Sequence, residues 1–278
     1  MGEFVPKRKW RYPISAERTY NKWLRAYVKS FYVAYKACED IVGYNLNQNQ
    51  IKADTADNWL DELMNMIQGK AINKEQMLSK VMQAGRLVDE YNRGEFYAIL
   101  KSIGINIFQG ELWLADVSSH WIDANMQLIS SVQDDMMRNI RAAIRDRVLL
   151  TFEQGTTVKS LSSKINAITG VGQTRATLIA RDQIGKLNGQ LTQYRQSDAG
   201  IKKYEWSSSG DSRVRPLHEE YDGEIYSWNN PPAGGHPGIP IRCRCVALPV
   251  IDLDNLNYTP RSDRASVAKA MKIWGIPE

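Results

Sequence analysis

The sequence predicts an α+β protein, a mainly helical body followed by a small, loop-rich α+β C-terminal domain with short strands. Three observations predict it. Apolar residues recur every three or four positions from about residue 15 to residue 199. After Gly200 that rhythm gives way to short runs separated by Gly, Pro, Asn and Asp. Hydrophobic and charged residues make up 43% and 24% of the 278, the balance of an ordinary folded chain rather than a disordered one.

Tyr20, Trp23, Leu24, Tyr27, Val28, Phe31 and Tyr35 share one helical face, which predicts an amphipathic helix from about Ser15 to Val42. Gly43 to Asp54 reads as a polar connection. Asp54 or Thr55 then caps a helix carrying Trp59, Leu60, Leu63, Met64 and Ile67, which stops at Gly69. Asn73 begins a third, fading at Asn92 to Gly94, and Phe96 to Leu114 fits neither period. A long helix starts near Val117 or Ser119, carries Trp121, Leu128, Val132, Met136, Ile140 and Ile144, and ends at Gly155. Thr156 or Thr157 caps a short helix ending at Gly170, and Thr174 caps another running to Gly200. Lys202 to Ser207, Glu224 to Trp228 and Arg242 to Val250 read as strands, and a last helix is expected from Ser262 to Trp274. The division expected is therefore an N-terminal helical region with a basic aromatic arm over 1–116, a second region over 117–251 (helices 117–199, small α+β part 200–251), and a tail over 252–278.

Charge is informative by place rather than by total. The net charge is only +5. Between Lys7 and Lys36, however, nine basic residues stand against Glu17, with Glu3 just ahead of them. Lys7, Arg8, Lys9, Arg11, Lys22, Arg25 and Lys29 are candidate contacts to nucleic acid or to a partner protein. Aromatics at helical spacing beside them favour a protein interface, with DNA second. No apolar run approaches a membrane span, and Met1 to Tyr12 has no apolar stretch of the secretory kind. Three cysteines, Cys38, Cys243 and Cys245, do not make a disulfide framework, which points to synthesis in a reducing compartment.

Chemistry-bearing residues concentrate between Trp206 and Cys245. Arg181, Asp211, Arg213, His218, His236 and Arg244 are read as one structural polar network, because polar groups this dense are costly to bury without partners. His218, His236, Cys243 and Cys245 are zinc-binding types. Their spacing argues against a site, since Cys-x-Cys in a strand sends its side chains to opposite faces and leaves one cysteine buried and one near the surface. The expectation is thus no cofactor, with a structural zinc on those four as the alternative. An enzymatic alternative takes His218 or His236 as general base, with Arg213 and Arg244 facing a phosphoryl group, as in a metal-independent nuclease.

LIARDQIGKLNGQL (Leu178 to Leu191), Gly200, Trp206, DSRVRPLH (Asp211 to His218), Asp222-Gly223, HPG (His236 to Gly238) and CRC (Cys243 to Cys245) occur in an order that closely resembles the phage head-morphogenesis family of Mu F-like minor head proteins. The likeness covers roughly Trp121 to Val250. It implies a virion component made in the cytoplasm of the host bacterium and taken into the head during assembly. The partners it implies are the portal protein or the major capsid protein, with phage DNA as a further one and no membrane. It also implies a part in head assembly, DNA packaging or ejection. Some members carry cysteines at the positions of Arg215 and His218, making a Cys-rich metal site with the later His and Cys; this chain has Arg215 and His218 there. The leading expectation is a structural, non-enzymatic head protein, and nuclease-like or DNA-binding activity of the C-terminal domain is the alternative.

Overall fold

A computed structural model describes residues 2–47, 53–105, 111–150, 158–253, 256, 272 and 274–275. Among them run seven helices and three strands. The helices are α1 (Ile14–Lys36), α2 (Glu39–Asn47), α3 (Ala53–Lys70), α4 (Lys74–Ser102), α5 (Leu114–Leu150), α6 (Val158–Asp198) and the short α7 (Pro216–Glu220). The strands are β1 (Lys203–Ser207), β2 (Ile225–Ser227) and β3 (Val246–Val250). A helical body thus precedes a small sheet region, as the sequence predicts. The caps expected at Thr156 or Thr157, and nearly all of the helix expected at Ser262 to Trp274, lie outside the described residues; the side chains of Asp54 and Thr55 do too.

Several boundaries differ from expectation for identifiable reasons. The helix predicted to reach Val42 stops at Lys36. A tight Cys38 N–H to Tyr35 O bond of 2.9 Å turns the chain into α2, whose first turn carries Glu39 and Asp40 where a helix dipole favours acids. Asn73 does open α4, through a reciprocal box in which Asn73 N–H donates to Gln76 Oε1 (3.0 Å) and Gln76 N–H to Asn73 Oδ1 (2.8 Å). That helix does not fade at Asn92 to Gly94. Asn92 is buried, donating to Asn188 and Thr192, and Phe96, Ile99 and Leu100 supply a further buried turn.

The two helices predicted on either side of Gly170 are one. Thr174, expected as a cap, sits inside α6 with its hydroxyl on Gly170 O at 3.1 Å. Of the four glycines inside this helix, Gly170 and Gly172 cost it about 1 kcal/mol each in propensity. The loss at Gly172 has a packing reason, since a Cβ there would stand 2.8 Å from both Met136 Sδ and Val28 Cγ1. Gly200, at φ 80°, ends the helix as predicted, with Ile201 N–H reaching back to Gln196 O at 2.9 Å.

The described chain forms two compact units. They are discontinuous in sequence: α1, α4, α5 and α6 each contribute residues to both. One unit comprises Asn21–Lys80 and Asn125–Ile179. Its buried residues include Leu24, Tyr27, Val28, Phe31 and Tyr35 of α1, so the aromatic face expected to meet a partner is interior. Tyr27 hydroxyl donates to Gln133 at 2.8 Å, and Arg175 is held by Asp135 and Ser131.

The other unit comprises Met1–Tyr20, Val81–Ala124 and Ala180–Glu278. Its antiparallel sheet has the order β2-β1-β3, with Tyr204 opposite Tyr226 on one side and Pro249 on the other. Period-two alternation sorts the strand residues. Val246 and Leu248 join Trp10, Phe96, Ile99, Leu100 and Ile201 in one apolar cluster. Tyr204, Trp206 and Ala247 join Trp228, Cys243 and Cys245 in another. The N-terminal segment is fastened here by a two-way backbone bridge between Phe4 and Ile251 and by the buried Trp10.

Candidate functional site

The segment linking β2 to β3 lies directly on α6, and two glycines of the helix make that approach possible. A Cβ on Gly185 would stand 2.6 Å from the Cys243 carbonyl oxygen, and one on Gly189 would stand 2.5 Å from that of Pro237. One turn apart, these residues present bare backbone to the HPG loop and to the start of CRC. Asp182, on the same helix, accepts the Arg242 N–H at 3.0 Å. Arg242 is the one non-glycine residue among those described with a left-handed backbone, at φ 60°.

That turn corrects the reading of Cys-x-Cys. The strand starts at Val246, four residues later than predicted, so the two cysteines are not on opposite faces of a strand. Both are buried, and both face His218 on α7: Nδ1 is 3.6 Å from Cys243 Sγ and 3.5 Å from Cys245 Sγ. Burial, with Arg215 nearby, holds the His218 pKa below its usual value, which favours the neutral imidazole. A hydrogen bond from Cys245 brings Cys243 down to about 7 against the effect of burial, while the same bond and burial push Cys245 up.

His236 stands apart from this group. Its Nδ1 pairs with the Tyr204 hydroxyl at 2.9 Å, and its ring packs on Trp228 at 4.9 Å. Of the four zinc-binding types, three come together and His236 does not, because aromatic packing against Tyr204 and Trp228 places the HPG histidine elsewhere. The cavity that Arg213 lines has His218 in its wall and not His236.

Arg181 and Arg244 converge on Glu17, which the predicted network did not include, and Asp211 with Arg213 joins them through Arg244, whose Nη1 lies 3.8 Å from Asp211. Glu17 is buried and accepts a two-pronged contact from Arg244, with Nε to Oε2 at 2.9 Å and a second bond from Nη2 to Oε1. Arg181 Nε lies 3.7 Å from the same carboxylate. Tyr12 completes the group, its hydroxyl on Arg181 O at 3.3 Å and its ring 5.8 Å from the Arg244 guanidinium. Asp211 accepts from Arg213 N–H (3.0 Å) and Nη2 (2.8 Å). Desolvation raises the Asp211 carboxyl's pKa, but the bonds from Arg213 outweigh it and the net shift is downward. The signal for Glu17 was visible: Glu3 and Glu17 are the acids of an otherwise basic N-terminus, and both contact the C-terminal region, Glu3 through Lys203 at 2.9 Å.

Lys7, Arg8, Lys9, Arg11, Lys22, Arg25 and Lys29 are all exposed. Arg8 pairs with Glu95 at 3.2 Å, and Arg25 donates to Gln173 and Thr177.

Set beside known proteins, residues 142–248 match the family model described as Phage Mu protein F like protein. Every motif from Leu178 to Cys245 lies inside that span, so the match bears out the resemblance they carry. An uncharacterized protein of Haemophilus influenzae is 43% identical over 129 residues, which is 46% of this chain and 28% of that protein. The chain thus spans little more than a quarter of that relative's length. No solved structure matches it.

Proposed function

From a chain whose residues 142–248 match the Phage Mu protein F like family, we propose a minor structural component of a phage head, which works through its contacts with other virion proteins. The family match carries this reading. The geometry supports it: Glu17, Tyr12, Phe4 and Trp10 clasp the C-terminal motifs, an arrangement suited to holding a rigid docking surface. Portal protein and major capsid protein are the partners proposed, with roles in assembly, packaging or ejection and a place in the virion. No helix among the described residues is long and apolar enough to cross a membrane. The test is to delete the gene in the phage and count infectious, DNA-filled particles, with cross-linking of the wild-type chain to its neighbours. Particles of normal composition and infectivity without it would refute the proposal.

A second reading, contact with phage DNA, draws on the exposed cations of residues 7–29. It predicts binding that weakens steeply with salt and falls when Lys22, Arg25 and Lys29 are changed to alanine. Salt-independent binding would refute it. The nuclease alternative has less to stand on, since His236 is engaged by Tyr204 and the His218 Nδ1 faces the cysteines.

A further inference from the structure

His218, Cys243 and Cys245 bring their donor atoms together at distances that suit one shared metal ion. Their ligand atoms all lie within 4.8 Å of one another, and Nδ1 stands 3.5–3.6 Å from both sulfurs. Tetrahedral coordination accounts for both distances: with Zn–S of about 2.3 Å and Zn–N of about 2.0–2.1 Å, nitrogen and sulfur ligands sit about 3.5–3.6 Å apart. Two free, buried cysteines and an imidazole form a soft donor set suited to zinc and unsuited to magnesium or calcium. The Cys245 N–H also donates to Cys243 Sγ at 3.4 Å, the kind of outer bond that steadies a metal-bound thiolate.

The same three residues line a cavity of about 270 Å³. A water molecule's share of liquid volume is about 30 Å³, so there is room for a polyatomic ligand. Arg181, Arg213, Arg215, Arg242 and Arg244 form much of the remaining wall, and Asp211 is its one carboxylate. Glu17 balances Arg244, and Asp211 balances Arg213. Arg215 meets only a carbonyl, Ile241 O at 2.6 Å; among the described residues neither it nor Arg242 has a carboxylate partner.

We propose that His218 Nδ1, Cys243 Sγ and Cys245 Sγ hold a zinc ion whose fourth position opens on this cavity and takes a phosphate oxygen. Two thiolates cancel the charge of the ion, so the arginines supply the attraction for the anion. Three protein ligands and one exchangeable position distinguish the site from a closed four-ligand structural zinc. The geometry is independent of the head assignment and stands or falls separately from it.

The test uses the full chain, purified under reducing conditions without chelator. Metal analysis should find one zinc per chain, lost in Cys245→Ser and His218→Ala and kept in His236→Ala. Should those variants misfold, X-ray absorption on the parent decides, with two sulfur scatterers expected at about 2.3 Å. In the cobalt-substituted protein, inorganic phosphate should shift the visible bands saturably. The double variant Arg215→Ala/Arg242→Ala should weaken phosphate about tenfold or more, as expected for losing charge-assisted bonds. A shift with single-stranded DNA at lower concentration identifies a phosphodiester as the source, and a shift with phosphate alone identifies the free ion. Zinc well below stoichiometric after reconstitution, or a coordination shell without sulfur, overturns the metal site. Cobalt bands indifferent to phosphate overturn the open position.

Discussion

Replacing Arg195 by methionine tests how much of the fold depends on one buried charge. Arg195 is 0% exposed. Its guanidinium donates to Glu111 from Nε (2.6 Å) and Nη2 (2.9 Å), to Asn92 from Nη1 (2.6 Å) and to Asp89 from Nη2. Arg93 contacts the same two carboxylates at 2.9 and 3.0 Å, so two cations face two anions. Methionine fills much of the space but leaves Asp89 and Glu111, at 3% and 5% exposure, sharing a single arginine. Removing one partner from a buried network of this kind costs about 3–5 kcal/mol. At about 2–4 °C per kcal/mol for 150–250 residues, that is a fall of roughly 6–20 °C in Tm. Urea unfolding of the full chain, followed by tryptophan fluorescence, measures the loss of free energy, and a thermal melt measures the fall in Tm. The companion variant Arg195→Met/Glu111→Gln, which leaves Arg93 paired with Asp89, should recover more than half of the loss, because the penalty belongs to the stranded charge. A single variant within about 1 kcal/mol of the parent, as for an exposed pair, or a double variant no better than the single, would refute the reasoning.

Two further substitution pairs separate competing effects. Gly189→Ala should gain up to about 1 kcal/mol in helix propensity but lose more by driving a Cβ into the Pro237 carbonyl, a net loss of about 1–3 kcal/mol. Gly170→Ala, which meets nothing within 4 Å, should instead stabilise by up to about 1 kcal/mol; urea melts giving both the same sign would disprove the close approach. Glu17→Gln keeps the shape and removes the counter-charge of Arg244, so it should cost about 1.5–3 kcal/mol. Glu3→Gln, whose partner Lys203 is exposed, should cost under about 1 kcal/mol, and equal losses in the two melts would contradict the burial difference.

Where one period or one breaker decided the structure, the sequence was legible. The helical face of α1, the Asn73 start of α4 and the glycine stop at residue 200 all stand close to where spacing put them. What failed depended on tertiary neighbours. Gly170 reads as a helix stop, yet α6 runs through it and on past Gly172, whose missing side chain leaves the room that Val28 and Met136 take. Cys243 and Cys245 read as opposite faces of a strand because nothing local announces the left-handed Arg242. His236 resembled a ligand by residue type, and only the positions of Tyr204 and Trp228 show otherwise. The aromatics of α1 carried a pattern that fits core and interface equally, so their burial could not be read from one chain.

The matched region takes several of its buried contacts from residues outside it. Residues 142–248 include Arg195, whose carboxylate partners Asp89 and Glu111 lie outside the span. They include Arg244, whose partner Glu17 is on α1, and Val246 and Leu248, which pack with Trp10, Phe96, Ile99 and Leu100. Cut out alone, the span would carry an unpaired arginine designed for burial and one face of a three-stranded sheet without its cover. A fragment of residues 142–248 should therefore show no cooperative thermal transition by circular dichroism and should bind a hydrophobic dye. Adding the flanking residues 1–141 as a separate chain should restore a transition, because they bring Glu17, Asp89, Glu111 and the apolar cover. A sharp, reversible melt of the isolated fragment would show that the family's motifs fold on local contacts, and that the N-terminal clasp is an addition rather than a requirement.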